Sequence, residues 1–178
     1  MRPICRRQFV ATLAAAVPVL ATARPLLAES RDARALDFVH THTGEKLSVE
    51  YALGERYLPD ALETVNHFLR DFRTGDVHVI DRDLLDLLHN LARLTETRKP
   101  FQVISGYRSP NTNAMLRRAS EGVAGRSLHM QGQAIDIRLA DIPLGKLRAA
   151  AVVTGRGGVG YYPASDFVHV DTGRVRHW

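Results

Sequence analysis

Three side chains that could bind a metal ion lie in the last third of the sequence, namely His129, Asp136 and His169. The first two share one short stretch, SLHMQGQAIDIRL, whose second half alternates apolar and polar residues as a β-strand does. A carboxylate on the inner side of a sheet is costly unless it is paired or bound to a metal. Histidine and aspartate suit a divalent metal, and a catalytic zinc site needs three protein ligands and one open position.

The third candidate ligand, His169, lies in the stretch SDFVHVDTG. Strand alternation places Val168 and Val170 in the core, so His169 and Asp171 should face the opposite side. Asp166 precedes this strand. A carboxylate close to a water activated by a metal can accept its proton and pass it to the leaving amine. We therefore expect a hydrolytic metal site with a carboxylate base.

The elements that must position these residues form an α+β fold: a small, mostly antiparallel sheet with two helices packed on one face. Residues 36–51 read as a hairpin that turns at residues 43–45. The remaining strands are expected at residues 101–105, 133–139, 159–162 and 167–170, and the strand at 167–170 is expected to be the final one. Helices are expected to begin at residue 59 and at residue 82, and two more are expected at 111–118 and 143–153.

Finer placements follow from the same periodicities. Ala134 and Asp136 should share one face of their strand, with Ile135 on the other face. Helical spacing places Phe72 on the apolar side of the first helix and Leu94 on that of the second. Asp81 is expected to cap the second helix.

Residues 1–28 are predicted to be an export signal rather than part of the fold. Arg6 and Arg7 precede an Ala/Val/Leu-rich stretch and small residues, and the pattern is similar to a twin-arginine signal. Cleavage could follow Ala23 or Ala28. A membrane anchor is the alternative, but the apolar run is short for a span and Arg24 interrupts it. We expect export through the twin-arginine machinery to the periplasm, with no stable membrane span in the mature form.

The length of 178 residues is enough for one ordinary domain, and an apolar content of 45% supports a packed core. The net charge of +5 falls to +1 without the predicted signal, because four arginines and no acids lie in residues 1–28. The basic balance is thus no argument for nucleic-acid binding. The single cysteine, Cys5, also lies in the signal, which excludes disulfides and thiolate ligands from the mature chain.

Three segments together resemble a known family. The spacing of Ser127, His129, Gly132, Ala134 and Asp136 matches the SxHxxGxAxD signature of zinc D-Ala-D-Ala metallopeptidases of the VanX/VanY-like group. The acid-x-x-His element appears as DFVH, residues 166–169, and the SGYRS segment as residues 105–109. In detail the chain resembles the YcbK-like branch of murein endopeptidases, which are exported with twin-arginine signals.

The resemblance implies roles for matching residues. His129, Asp136 and His169 would bind Zn²⁺, and Asp166 would be the general base. Arg108 would hold the substrate and stabilise the developing oxyanion, and Ser127 would hydrogen-bond the substrate or orient the site. Apart from the resemblance, Tyr107 could line a peptide groove and contact the substrate there. The family usually carries Glu where this chain has Asp166, a side chain one methylene shorter. Asp171 therefore stays open as a rival base or as a partner of a zinc-binding histidine.

The resemblance also implies a substrate, the stem peptides of peptidoglycan, whose cross-links the enzyme would hydrolyse at amide bonds of D-amino acids. Two alternatives stay open: a D,D-carboxypeptidase that trims terminal D-Ala, and a metal-bearing cell-wall binding module without activity. The oligomeric state is not indicated by the sequence.

Other histidines and tyrosines have less specific patterns. His40 and His42 are two residues apart, and an exposed hairpin face explains them better than a second metal site does. Tyr161 and Tyr162 either line a peptide groove or pack around the last strand.

Overall fold

The computed structural model describes residues 33–120 and 122–178. The predicted export signal and Cys5 lie outside the described residues. The helices and strands, in chain order, are β1 (Ala33–His40), β2 (Lys46–Leu53), β3 (Arg56–Tyr57), α1 (Pro59–Phe68), α2 (Arg82–Thr95), β4 (Phe101–Ser105), α3 (Pro110–Ala119), β5 (Ala134–Arg138), α4 (Leu144–Thr154), β6 (Gly158–Tyr162), β7 (Phe167–Asp171) and β8 (Arg176–His177). Two short 3-10 turns, Leu128–Gln131 and Pro163–Ser165, precede β5 and β7.

The eight strands form one sheet in the order β3-β2-β1-β4-β5-β7-β6-β8. The pairs β1·β4 and β6·β8 are parallel and the other five pairs are antiparallel. The chain is therefore an α+β protein with a mostly antiparallel sheet, as the sequence predicts. The order also makes β5 and β7 direct neighbours near the middle of the sheet, although 28 residues separate their ends.

One face of the sheet carries the hydrophobic core. Val65 and Phe68 of α1, five leucines of α2, and Leu147 of α4 pack there against the inward residues of the strands. Three helices cover this face, whereas the sequence predicts two. Ile135 and Ile137 of β5 also lie in the core, so Asp136 between them points to the opposite face.

The hairpin predicted from its turn residues and the helix start predicted from its capping residue are both confirmed. β1 and β2 pair antiparallel around the turn that follows His40. The Asp81 side chain caps α2 by accepting a hydrogen bond from the Asp83 amide at 3.0 Å. This bond satisfies one of the free N–H groups at the helix N-terminus.

Four local predictions are wrong. Phe72 lies outside α1, which ends at Phe68 before the chain turns. Leu94 is 53% exposed, because the last turn of α2 carries no buried residue and none of the described residues covers it. The strand at residues 167–171 is not the last, since β8 follows it and pairs with β6. His40 is buried, and its Nδ1 accepts the His42 amide at 3.2 Å.

Candidate metal centre

The structure brings the three candidate ligands together on the sheet face opposite the core. One ligand atom from each of His129, Asp136 and His169 lies within 4.8 Å of the others. The Asp136 Oδ1 atom is 2.9 Å from His169 Nδ1 and 3.2 Å from His129 Nε2. All three residues are buried, with exposed fractions of 9% or less. The cluster is compact enough for one ion to contact all three donor atoms.

Strand register accounts for two of the three positions. Asp136 on β5 lies directly opposite His169 on β7. The flanking pairs, Ile135 with Val170 and Ile137 with Val168, face the core. Because side chains alternate along both strands, the two polar residues emerge side by side on the other face.

His129 reaches the cluster from the 3-10 turn before β5. Its Nδ1 is 2.7 Å from the Gly106 carbonyl oxygen, so Nδ1–H donates to that oxygen and Nε2 is left facing the cluster. Gly132 ends the turn in the left-handed conformation, with φ +65°, and a Cβ there would lie 2.1 Å from the Val79 carbonyl oxygen. Only glycine suits this position, which explains its place between His129 and Asp136 in the motif.

His169 is held from behind by Asp171. The His169 Nε2–H donates to Asp171 Oδ2 at 3.0 Å, which leaves Nδ1 facing the cluster. Asp171 is fully buried and accepts further hydrogen bonds from the Gly158 and Gly173 amides and from Arg176. Burial alone would raise the pKa of Asp171, but these hydrogen bonds hold it well below its usual range. Asp171 therefore orients His169, and its oxygens are already engaged.

The charge states of His129 and Asp136 suit a metal ion. Burial lowers the pKa of His129, which favours the neutral imidazole. Burial also disfavours the Asp136 carboxylate, but His129, His169 and Arg108 hold the pKa of Asp136 well below its ordinary value. Burial would lower the pKa of His169 as well, but its hydrogen bonds to Asp136 and Asp171 raise it. A metal ion would displace the proton from His169 Nδ1, because histidine binds a metal as the neutral imidazole and aspartate binds it as the carboxylate.

The donor set and its surroundings fit a catalytic metal site. Two imidazole nitrogens and one carboxylate oxygen are the kind of ligands that bind zinc in hydrolases. Each histidine donates its other ring N–H to an oxygen, as metal-bound histidines almost always do. The cluster lies in a cleft of about 610 Å³, whose lining includes all three residues. A ligand position towards the cleft is thereby open to water or substrate.

Two further predicted site residues lie in the same cleft. Arg108 forms an ion pair with Asp136, and its Nε donates to Ser105 Oγ at 2.8 Å. The Arg108 amide donates to the His129 carbonyl oxygen at 3.1 Å, which ties the SGYRS segment to the histidine turn. Ser127 is buried at the N-terminus of that turn and lines the cleft.

Two others are placed differently. Asp166 is exposed and pairs with Arg138 at 2.8 Å. Its neighbours Ser165 and Phe167 line the cleft, whereas Asp166 is not among the described lining residues. The Tyr107 ring stacks on His78, with centroids 4.8 Å apart, and is likewise outside this lining. The roles predicted for Asp166 and Tyr107 stay predictions.

Several cleft residues were not singled out by sequence reasoning. Three arginines besides Arg108 line the cleft, as do Phe167 and Trp178; the arginines are Arg73, Arg126 and Arg176. The Trp178 ring lies 5.4 Å from that of His169, and its Nε1 donates to the Tyr162 hydroxyl at 2.7 Å. Tyr162 therefore lines the groove, one of the two alternatives, and Tyr161 packs against the core. Phe167 lies two residues before His169 on β7, so strand alternation could have predicted that it faces the cleft. Trp178 follows β8 and reaches the cleft because β8 pairs with β6, a long-range contact that the sequence does not indicate.

The chain is similar to known peptidoglycan endopeptidases. The family model described as peptidoglycan L,D-endopeptidase MepK matches residues 28–178. The peptidoglycan L,D-endopeptidase MepK of Escherichia coli strain K12 is 46% identical over 163 residues, which cover 92% of this chain and 85% of that protein. A probable peptidoglycan L,D-endopeptidase MepK of Haemophilus influenzae is 46% identical over 146 residues, covering 82% and 78% of the two chains.

The family match identifies a peptidase, and the His-Asp-His cluster gives it a possible metal site. The chain belongs to the MepK family of peptidases.

Proposed function

We propose that this protein is a zinc-dependent murein endopeptidase that hydrolyses peptide cross-links of peptidoglycan at amide bonds of D-amino acids. Membership of a family described as peptidoglycan L,D-endopeptidases supports the reaction and its substrate. The observation that carries zinc dependence is the convergence of His129, Asp136 and His169 in the cleft, with both histidines oriented by a second hydrogen bond.

His129 Nε2, an Asp136 carboxylate oxygen and His169 Nδ1 would hold the metal. Zinc in such a site polarises a carbonyl and lowers the pKa of a water to about 7. The protein contributes the orientation of its ligands, through the Gly106 carbonyl and the Asp171 carboxylate. It also contributes a cleft in which the scissile amide can lie against the cluster.

Arg108 is the proposed oxyanion stabiliser. Its guanidinium lies beside Asp136 and carries several N–H donors in a rigid plane, so two of them can meet the developing negative oxygen. The Ser105 hydroxyl and the backbone contact to His129 hold the side chain in place before the substrate arrives. Ser127, buried in the lining, is proposed to hydrogen-bond the substrate.

Asp166 is the proposed general base. It lies at the edge of the cleft between two lining residues, and its present partner is Arg138. Both side chains of that pair are well exposed, at 64% and 35%, so separating them costs at most about 1 kcal/mol. A rotation of Asp166 away from Arg138 is therefore cheap, whereas Asp171 is fixed and fully engaged.

We also propose that residues 1–28 are a twin-arginine export signal and residues 29–178 the zinc peptidase domain, which would act in the periplasm. An enzyme on peptidoglycan needs access to the cell wall, and the family match begins at residue 28. None of the described helices is long and apolar enough to cross a membrane.

The proposed function is tested by digesting purified sacculi with the mature protein, with and without a chelator and added zinc, and resolving the fragments by mass. We expect cross-linked dimers to disappear and monomers to rise in step, and chelation to abolish both changes. Unchanged dimers with trimmed terminal D-Ala would identify a D,D-carboxypeptidase. No change despite bound zinc would indicate a binding module.

A further inference from the structure

The lining of the cleft beside the metal cluster contains more arginines than carboxylates. Four arginines line it, and among the described residues of the lining Asp136 is the sole carboxylate. Arg108 pairs with Asp136, and Arg176 pairs with Asp171 below the surface. For the Arg73 guanidinium, residues 33–120 and 122–178 supply no acceptor within hydrogen-bonding distance. An anion is thus the group that this part of the cleft lacks.

Arg73 is held in a defined position despite its exposure. Its guanidinium carbon lies 4.2 Å from the centre of the Phe72 ring, which covers one face of the planar group and leaves its N–H edge free. Partial burial of the guanidinium lowers the pKa of Arg73; the nearby Asp71 carboxylate opposes this shift and the charge of Arg108 adds to it. Both guanidiniums line the cleft, and an anion bound there would offset the repulsion between their charges.

Asp71 joins the loops that carry the two arginines. Its side chain is buried, with Oδ1 accepting the Arg73 amide at 3.0 Å and Oδ2 accepting the Ser109 amide at 2.9 Å. Ser109 directly follows Arg108, so one carboxylate fixes both backbones. The Tyr107 amide adds a bond to the Leu69 carbonyl oxygen at 2.8 Å. The separation of the two arginines is therefore built into the fold.

We propose that Arg73, together with Arg108, forms a binding site for a substrate carboxylate next to the scissile amide, and that Arg73 makes the enzyme selective for peptides bearing that group. A guanidinium edge and a carboxylate match as a bidentate, charge-assisted pair. When a cross-link uses the amine of a D-residue, a free carboxyl group of that residue lies one carbon from the scissile nitrogen. This inference rests on the proposed endopeptidase function.

The test uses two synthetic peptides that share an L-to-D amide bond, one with a free α-carboxylate on the D-residue and one with a carboxamide there. We expect the zinc-loaded wild type to cleave the acid with a kcat/KM about 10- to 100-fold higher, the size of a hydrogen-bonded charge contact. Arg73→Ala should lower kcat/KM for the acid alone and bring the ratio to about 1. Arg73→Lys, which keeps the charge but not the fork, should retain part of the preference.

Two arginine variants serve as controls. Arg118→Ala removes an exposed arginine of α3 outside the cleft lining and should leave the ratio unchanged. Arg126→Ala removes another cleft arginine, and loss of the preference there but not in Arg73→Ala would overturn the assignment. Equal cleavage of acid and amide by the wild type would also refute the inference while leaving the endopeptidase function intact. Failure to cleave either peptide or sacculi would instead refute the proposed function.

Discussion

At the scale of single residues, we propose separate tasks for Asp166 and Asp171, the two aspartates near His169. Asp171 is buried and bonded to His169, Arg176 and two backbone amides, so it orients a ligand and has no free oxygen for proton transfer. Asp166 is exposed at the rim of the cleft in an ion pair that is easily opened. The sequence leaves both aspartates as candidate bases. Their surroundings favour Asp166, because its carboxylate can be freed at low cost whereas that of Asp171 cannot.

Substitution of each aspartate should therefore have a different effect. Asp166→Ala should keep zinc and lower kcat by about 100-fold or more, the usual contribution of a positioned base. Asp171→Asn should weaken zinc binding by about 10- to 100-fold, as is typical when the partner of a metal-bound histidine is removed. Chelator competition measures the affinity and peptide hydrolysis measures kcat. Full activity of Asp166→Ala would move the base elsewhere, and unchanged zinc affinity of Asp171→Asn would contradict its orienting role.

At the scale of elements, the histidine turn depends on one glycine. Gly132 has φ +65°, and a Cβ on it would lie 2.1 Å from the Val79 carbonyl oxygen. Gly155, at the end of α4, has φ +62°, and a Cβ there would meet no atom within 4 Å. A side chain at either position would strain the left-handed backbone. Only at Gly132 would it also clash with a neighbouring residue.

This pair predicts a graded loss of stability. Gly155→Ala should lower the free energy of unfolding by about 1 kcal/mol through strain alone. Gly132→Ala should lower it by about 3 kcal/mol or more, since the loop bearing Val79 must also move, and it should weaken zinc binding through His129. Urea unfolding of the metal-free variants measures both losses. Equal losses would show that the Val79 contact is easily relieved.

Sequence patterns predicted the strands that carry the candidate metal ligands, but they did not predict which distant residues line the rest of the cleft. Alternation within residues 134–138 and 167–171 correctly separates core from cleft residues, because that information is local. The pairing of β5 with β7 was not predicted, since periodicity says nothing about which strands pair. Arg73 and Trp178 carried no local signal; the first reaches the cleft through a loop anchored by Asp71, the second through β8.

At the scale of the whole molecule, buried carboxylates link stability to pH. The folded-state pKa values of Asp71, Asp136 and Asp171 all lie below their ordinary values, because hydrogen bonds and positive neighbours outweigh burial. A depressed folded-state pKa contributes stability above the unfolded-state value of about 4, and this contribution is lost as the pH falls through the folded-state value.

The free energy of unfolding of the metal-free protein should thus fall steadily as the pH is lowered from about 5 to about 2.5. Asp71→Asn should show a shallower fall, because one of the three carboxylates is absent. Urea titrations across this range in the presence of a chelator measure both slopes. A flat profile for the wild type would contradict the assignment of these groups as ionised in the folded protein.

The most direct test of the account is a zinc titration of the chelated mature protein, followed in parallel by cleavage of a purified cross-linked muropeptide dimer and by metal analysis. We predict that activity rises linearly and saturates at one zinc ion per chain, and that His169→Ala neither retains the ion nor cleaves the dimer. Full cleavage by the metal-free protein, or zinc retained at full affinity by His169→Ala, would contradict the central claim that these three residues form a catalytic zinc site.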